Sequence, residues 1–115
     1  MTSMPNTGWS IEYEVLLDSA GNALRVRIRT ERGTVVDFVV HYEITIDDRV
    51  YAVVRYDGSH GRGHRDLLDA AGETVEHGKR WLPEHLSLAE SLQVGLIDLR
   101  ANWMSYRSDF HRRLR

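Results

Sequence analysis

Hydrophobic and polar residues alternate through the first half of the chain, and this alternation predicts strands. One face of each run is apolar and the other is charged, which is typical of half-buried strands. Segments rich in Gly, Asn and Asp separate the runs and predict turns. The predicted strands are residues 9–17, 24–30, 34–46 and 50–56. A last hairpin around residues 70–73 completes an antiparallel meander of about six strands over residues 9–82.

The faces of these strands also predict how the strands pair. If the first turn centres between Ala20 and Gly21, apolar residues face apolar ones and acidic residues face arginines. A three-residue loop, Glu31-Arg32-Gly33, is predicted to join the second and third strands, because Gly adopts positive φ readily. The expected partners are Val15 with Val26, Tyr13 with Ile28, Glu14 with Arg27, Glu12 with Arg29, Ile28 with Val36, Val26 with Phe38 and His41 with Arg55.

The hydrophobic period changes after residue 82. Ser87 and Glu90 have the spacing of a capping box, which begins a helix. Apolar residues then recur every three or four positions, which predicts one amphipathic helix over residues 86–113. The apolar stripe consists of Leu88, Leu92, Leu96, Leu99, Trp103, Tyr106 and Phe110. The predicted fold is therefore α+β, an antiparallel β-meander packed on one long C-terminal helix.

Composition narrows the class of protein. A chain of 115 residues suits one domain, residues 1–115, of which residues 1–8 are expected to be flexible. The net charge of -2 gives no global attraction to nucleic acid, so RNA binding would need a local patch. The absence of Cys excludes disulfides, thiolate metal sites and Cys nucleophiles. No apolar run is long enough to span a membrane, so we expect a cytoplasmic protein without membrane contact.

The stretch RYDGSHGRGHRD, which begins at Arg55, concentrates the candidate chemistry. Arg55 and Asp57 share one strand face, and His64 and Asp66 share one too, because side chains in a strand repeat every two residues. The three glycines between these pairs predict positive φ or a close backbone approach. The pairing of the third and fourth strands adds His41 to the same polar face.

One interpretation of this stretch is metal-independent cleavage of RNA, with no cofactor. His60 and His64 would act as general base and acid, because the ordinary pKa of His lies near neutrality. Asp66 would orient one imidazole, and Arg55 would stabilise charge on the phosphate. The predicted catalytic residues are thus His60, His64, Asp66 and Arg55. The predicted substrate-binding residues are Arg62, Asp57 and His41.

Two alternatives stay open. The ligand types of His60, His64 and Asp66 suit a divalent metal such as zinc or manganese, which would make the protein a metal-dependent hydrolase. Alternatively, the charged residues pair with one another and only fix a loop, as polar residues on a solvated sheet face commonly do. The chain would then be a non-enzymatic binding or structural module, either half of a partner complex or a homodimer formed through a free strand edge.

Two segments carry a family resemblance. The run VVRYDGSHGRGHRDLLDAAGETVEHGKRWL and the helical motif DLRANW resemble a family of small bacterial proteins, a domain of unknown function. The resemblance covers residues 50–115 well, and the earlier strands only by their meander character. The matching positions are Arg55, Tyr56, Asp57, His60, Gly61, His64, Asp66, Asn102 and Trp103. This resemblance implies family membership and no activity.

A looser similarity is to TumE-type toxins of bacterial toxin–antitoxin pairs. Those toxins are also small meander-plus-helix chains, with an Arg-[Tyr/Trp]-Asp run followed by His residues. This chain departs from them at Gly58-Ser59-His60, where the toxins carry an Asn-Ala-Pro-His-His type of run. The similarity implies RNA or an antitoxin protein as the partner.

Overall fold

The computed structural model describes residues 8–114 and has the predicted α+β architecture. Six antiparallel strands form one sheet in sequence order, and one helix of 26 residues follows them. The strands are β1 (Ile11–Leu16), β2 (Asn22–Glu31), β3 (Thr34–Ile46), β4 (Arg49–Asp57), β5 (His64–Leu68) and β6 (Thr74–Trp81), and the helix is α1 (Leu88–Arg113). A short 3₁₀ turn, Ser59–Gly61, lies between β4 and β5. The predicted flexibility of residues 1–8 falls outside the described residues except for residue 8.

The core lies between one face of the sheet and α1. The alternating apolar residues of β2, β3 and β4 point toward the helix, which packs mainly on β3 and β4. The predicted helical stripe is confirmed, because all of its residues pack into this cluster. The predicted capping box is confirmed too. The Ser87 hydroxyl accepts from the Glu90 backbone N–H, and the Glu90 carboxylate accepts from the Ser87 N–H.

The predicted register of the first hairpin is wrong by two residues. The Asp18 carboxylate accepts hydrogen bonds from the backbone N–H groups of Ala20 and Asn22 and from the Asn22 side-chain amide. These bonds centre the turn between Ser19 and Ala20, as the strand partners show, one residue earlier than the predicted centre between Ala20 and Gly21. A shift of two residues keeps each side chain on its predicted face. The observed partners are Val15 with Leu24, Tyr13 with Val26, Glu14 with Arg25 and Glu12 with Arg27.

The predicted three-residue loop between β2 and β3 is also wrong. Glu31 pairs directly with Thr34, and Arg32 and Gly33 form a two-residue turn with φ of 51° and 79°. Two positive φ values match the twist of a hairpin better than a longer loop does. A bulge next to Thr30 then shifts the register. Ile28 therefore faces Phe38, and Val26 faces Val40, whereas the predicted pairing of His41 with Arg55 is confirmed.

Strand β1 is less buried than the sequence pattern predicts. Ile11 and Tyr13 are 46% and 39% exposed, and Val15 is half-buried. The reason is the position of α1, which packs on β3, β4 and β5. An apolar strand face is therefore buried only where a helix or another layer packs on it, whatever the alternation of its residues.

Within residues 8–114, no helix is both long enough and apolar enough to cross a membrane.

Gly95 tests the contact between the helix and the sheet. A Cβ at this position would lie 2.9 Å from Cγ of Tyr56, which is buried. In an open helix, Gly→Ala adds about 1 kcal/mol of stability. Here we expect Gly95→Ala to lower the free energy of unfolding by about 1–3 kcal/mol, because overpacking outweighs that gain. Urea unfolding measures the change, with the exposed Ser105→Ala as a control that should be unchanged or slightly more stable. A Gly95→Ala protein more stable than the wild type would contradict this packing.

Candidate functional site

The pairing of β4 with β5 assembles four polar side chains on one face of the sheet. Arg55 lies opposite Asp66, and Asp57 lies opposite His64. Tyr56, between Arg55 and Asp57, points to the other face and contacts Gly95 of α1. The four side chains therefore lie on the face that is turned away from the helix.

The four residues form a closed set of polar contacts, which we call the His64 network: Arg55, Asp57, His64 and Asp66. The imidazole lies between two carboxylates, with Nε2 2.7 Å from Oδ1 of Asp57 and Nδ1 3.1 Å from Oδ2 of Asp66. The Arg55 guanidinium bridges the same two carboxylates, with Nε 3.1 Å from Oδ2 of Asp57 and a terminal nitrogen 3.0 Å from Oδ2 of Asp66. Each carboxylate thus contacts both the Arg55 guanidinium and the His64 imidazole.

The His64 network is almost closed to solvent. Asp66 is 0% exposed, His64 3% and Asp57 8%. The Trp81 ring packs edge-on against the imidazole, with 5.0 Å between ring centroids. Arg55 is the most exposed member and reaches the surface. Buried charges are tolerated where each one is paired, and this arrangement meets that condition.

The network also fixes the turn that follows β4. Asp57 Oδ1 accepts hydrogen bonds from the Ser59 backbone N–H at 3.2 Å and from the Ser59 hydroxyl at 2.9 Å. Gly58 is needed here because a Cβ would lie 2.7 Å from the Leu88 side chain. The chain then turns through His60, which has a φ of 69°. The carboxylate that contacts His64 thus also shapes the loop.

The structure brings together four of the predicted site residues, places His41 next to them and separates the other two, His60 and Arg62. Arg55, Asp57, His64 and Asp66 form the network. His60 is exposed on the turn, and Arg62 points elsewhere, with Nε donating to the Leu82 carbonyl at 2.9 Å. His41 lies beside Arg55 on the neighbouring strand. Among the described residues, the group with metal-ligand geometry is Asp57, His64 and Asp66, so Asp57 takes the place that the metal hypothesis assigned to His60.

His41 is held neutral by its surroundings. Burial, together with the positive charges of Arg55, Arg27 and Arg25, lowers its pKa to about 4, against a smaller opposing effect of Asp57. A neutral imidazole adds no charge to the polar face at pH 7.

A second polar cluster, on the helix side of the sheet, was missed by the sequence analysis. Asp98 of α1 accepts hydrogen bonds from the Tyr56 hydroxyl at 2.6 Å, the Tyr106 hydroxyl at 2.5 Å and the Asn102 amide at 2.8 Å. Burial opposes ionisation of Asp98, yet these three hydrogen bonds, together with the nearby positive charge of Arg65, lower its pKa. Tyr56 and Asn102 belong to the quoted resemblance pattern. Asp98 lies one helical turn before Asn102, and this spacing was the sequence feature that could have predicted their contact.

This cluster lines a cleft of about 590 Å³ between the β5–β6 hairpin and α1, which we call the hairpin–helix cleft. Three arginines from the turn, from β5 and from β6 meet there. Sequence reasoning missed their convergence because the pairing of Arg65 with Arg80 depends on the hairpin register. The lining residues are Tyr56, Arg62, Arg65, Arg80, Trp81, Leu82, Pro83, Val94, Asp98 and Tyr106.

Comparison with known proteins establishes the family. The sequence model of one protein family, a domain of unknown function (DUF7718), matches residues 4–115. The chain belongs to this family. The DUF7718 match extends over all six strands and the helix, so the network and the cleft both lie within it. No curated protein and no solved structure matches this chain. The similarity to TumE-type toxins stays a prediction.

The lowered pKa of His41 predicts a specific pH dependence. The folded pKa of about 4 lies below the ordinary pKa of His, 6.5, so protonation favours the unfolded chain. The stability due to neutral His41 is therefore present above about pH 6.5 and is lost as the pH falls toward 4. Between pH 7 and pH 5, we expect the wild type to lose about 1–2 kcal/mol more than His41→Gln, after allowance for solvent screening.

Urea unfolding at the two pH values measures this difference, with the exposed His85→Gln as the control. Equal losses in the wild type and in His41→Gln would show that His41 does not carry the effect.

Proposed function

We propose that this chain is a non-enzymatic binding module in which the His64 network holds the turn between β4 and β5 in one shape. The burial of His64 and Asp66, at 3% and 0% exposure, carries the proposal. A general acid or base must come within hydrogen-bond reach of the substrate. The His64 ring is instead enclosed by two carboxylates and by Trp81.

The fixed turn supports a binding surface. His64 packs against Trp81, and the Arg62 guanidinium lies over the same indole ring, 5.4 Å from its centroid. Trp81 and Arg62 both line the hairpin–helix cleft. The network thus positions residues that the partner would contact, although its own members are buried. We place this module in the cytoplasm, with a protein or RNA as the partner, as the sequence predicts.

Metal-independent RNA cleavage by His60 and His64 has weaker support. His60 is exposed and meets the access requirement of a general acid. For His64 to do the same, its contacts with both carboxylates would have to open, which leaves buried charges without partners. That opening is costly because removing one partner of a buried ion pair costs about 3–5 kcal/mol.

A metal-dependent hydrolase is the second candidate, and one observation favours it. Ligand atoms of Asp57, His64 and Asp66 lie within 4.8 Å of one another. His64 Nδ1 and Asp66 Oδ1 are buried, and neither has a hydrogen-bond partner among the described residues. Imidazole and carboxylate ligands suit zinc or manganese. Such a metal would compete with the Arg55 guanidinium for the same carboxylates.

The binding-module proposal predicts that the network acts on stability. We expect Asp66→Asn and His64→Gln each to lower the free energy of unfolding by about 1–3 kcal/mol, because each leaves buried partners unpaired. The exposed His60→Asn is the matched control, because Asn also tolerates the positive φ at this position, and its change should stay within about 0.5 kcal/mol. Chemical unfolding and an RNA cleavage assay are run on the same preparations. Cleavage by the wild type that His64→Gln abolishes without loss of stability would contradict the proposal.

Metal content separates the two candidates. For protein purified without chelator, the binding-module proposal predicts substoichiometric zinc and manganese by elemental analysis. It also predicts no rise in melting temperature when either metal is added, because Arg55 already neutralises the carboxylates. One bound metal per chain, lost in Asp57→Asn, would instead favour the hydrolase.

A further inference from the structure

We propose that the hairpin–helix cleft binds a phosphate group carried on a flat apolar body, the chemistry of a nucleotide. Arg65 and Arg80 would hold the phosphate, and the walls of the cleft would hold the base. This inference rests on the proposed binding role and names the class of ligand. A free nucleotide and the end of a nucleic acid strand share this chemistry.

The first support is the placement of the arginines. Arg65 and Arg80 lie directly opposite each other on β5 and β6, and like charges in this position destabilise a sheet. Within residues 8–114, no carboxylate lies within ion-pair distance of Arg62, Arg65 or Arg80. On the opposite face of the sheet, by contrast, Arg25, Arg27 and Arg55 each have a carboxylate within ion-pair distance.

The second support is an unsatisfied donor. Nε of Arg65 is buried and has no hydrogen-bond partner in the part of the chain that the structure describes. Its terminal nitrogen donates only a long bond, 3.4 Å, to the Tyr106 hydroxyl. A buried donor without a partner costs about 1–3 kcal/mol. A turn of the guanidinium toward the cleft would let a phosphate oxygen satisfy this donor, since guanidinium matches phosphate with two parallel donors.

The third support is the charge balance of the cleft. Asp98 is the acidic residue that lines it, and three hydrogen bonds from Tyr56, Tyr106 and Asn102 already occupy its oxygens. The whole chain carries a net charge of -2. The lining of the cleft, by contrast, carries three arginines and one carboxylate, so its local charge is positive. This is a local patch of the kind that an anionic ligand needs.

The fourth support is size and wall chemistry. The cleft measures about 590 Å³, which falls within the roughly 300–1,000 Å³ of small-ligand sites. Inorganic phosphate alone would leave most of that volume empty. Leu82, Pro83 and Val94 supply an apolar wall, and Trp81, which is 46% exposed, also lines the cleft. The volume and the walls favour a flat ring attached to the phosphate.

Isothermal titration calorimetry of the full chain tests this inference. The probes are adenosine monophosphate, adenosine, inorganic phosphate, a 5′-phosphorylated five-nucleotide RNA and a tetraglutamate peptide, at low salt. We expect adenosine monophosphate or the RNA to bind at least about tenfold more tightly than adenosine or phosphate. Arg80→Gln should weaken that binding about tenfold. Arg80 is exposed, so the variant should fold. The exposed helical variant Arg100→Gln, outside the lining of the cleft, should bind as the wild type does.

The RNA and the mononucleotide distinguish the two sources. Tighter binding of the RNA, lost in Arg80→Gln, supports the end of a strand as the ligand. Equal binding of both supports a free nucleotide. The inference is overturned if neither binds, if Arg80→Gln changes nothing, or if a tetraglutamate peptide alone binds at Arg80. In those cases a loss of stability in Asp66→Asn still supports the binding module. Failure of the nucleotide inference can therefore be distinguished from failure of the proposed function.

Discussion

The structure around the β4–β5 turn depends on the desolvation of two carboxylates, Asp57 and Asp66. Both are buried, and water no longer stabilises their charge. The Arg55 guanidinium and the His64 imidazole replace that water with contacts of 2.7–3.1 Å. Because each carboxylate has both partners, the set is stable as a unit and costly to break at any one member. The same set determines where the turn, Trp81 and Arg62 lie.

Strand β4 connects this network with the hairpin–helix cleft. Its odd residues, Arg55 and Asp57, enter the network, while Tyr56 between them reaches Asp98 on the other side of the sheet. A shift of β4 by one residue would exchange the two faces and destroy both clusters. The close contact of Gly95 with Tyr56 holds the helix in place over this strand. The buried network and the open cleft are therefore two sides of one packed element.

Local pattern was enough to predict the fold class, because alternation, the helical stripe and the capping box each depend on neighbouring residues. The register of the first two hairpins was not predictable in this way. It depends on Asp18 bonding to backbone amides and on a bulge beside Thr30, which leave no mark in the hydrophobic pattern. Four network residues were recognised as a group, but their burial was not. The cleft was missed because Arg65 and Arg80 meet only through the β5–β6 register.

A double-mutant cycle between Arg55 and Asp66 tests the central claim most directly, that the network is one cooperative structural unit. Arg55→Gln, Asp66→Asn and the double variant are unfolded in urea at pH 7, and the coupling free energy is taken from the four values. The account predicts coupling of about 1–3 kcal/mol, because once one partner is gone the other contributes little. Additive effects within about 0.5 kcal/mol would contradict it, since the two side chains would then act independently and the network would not hold the turn.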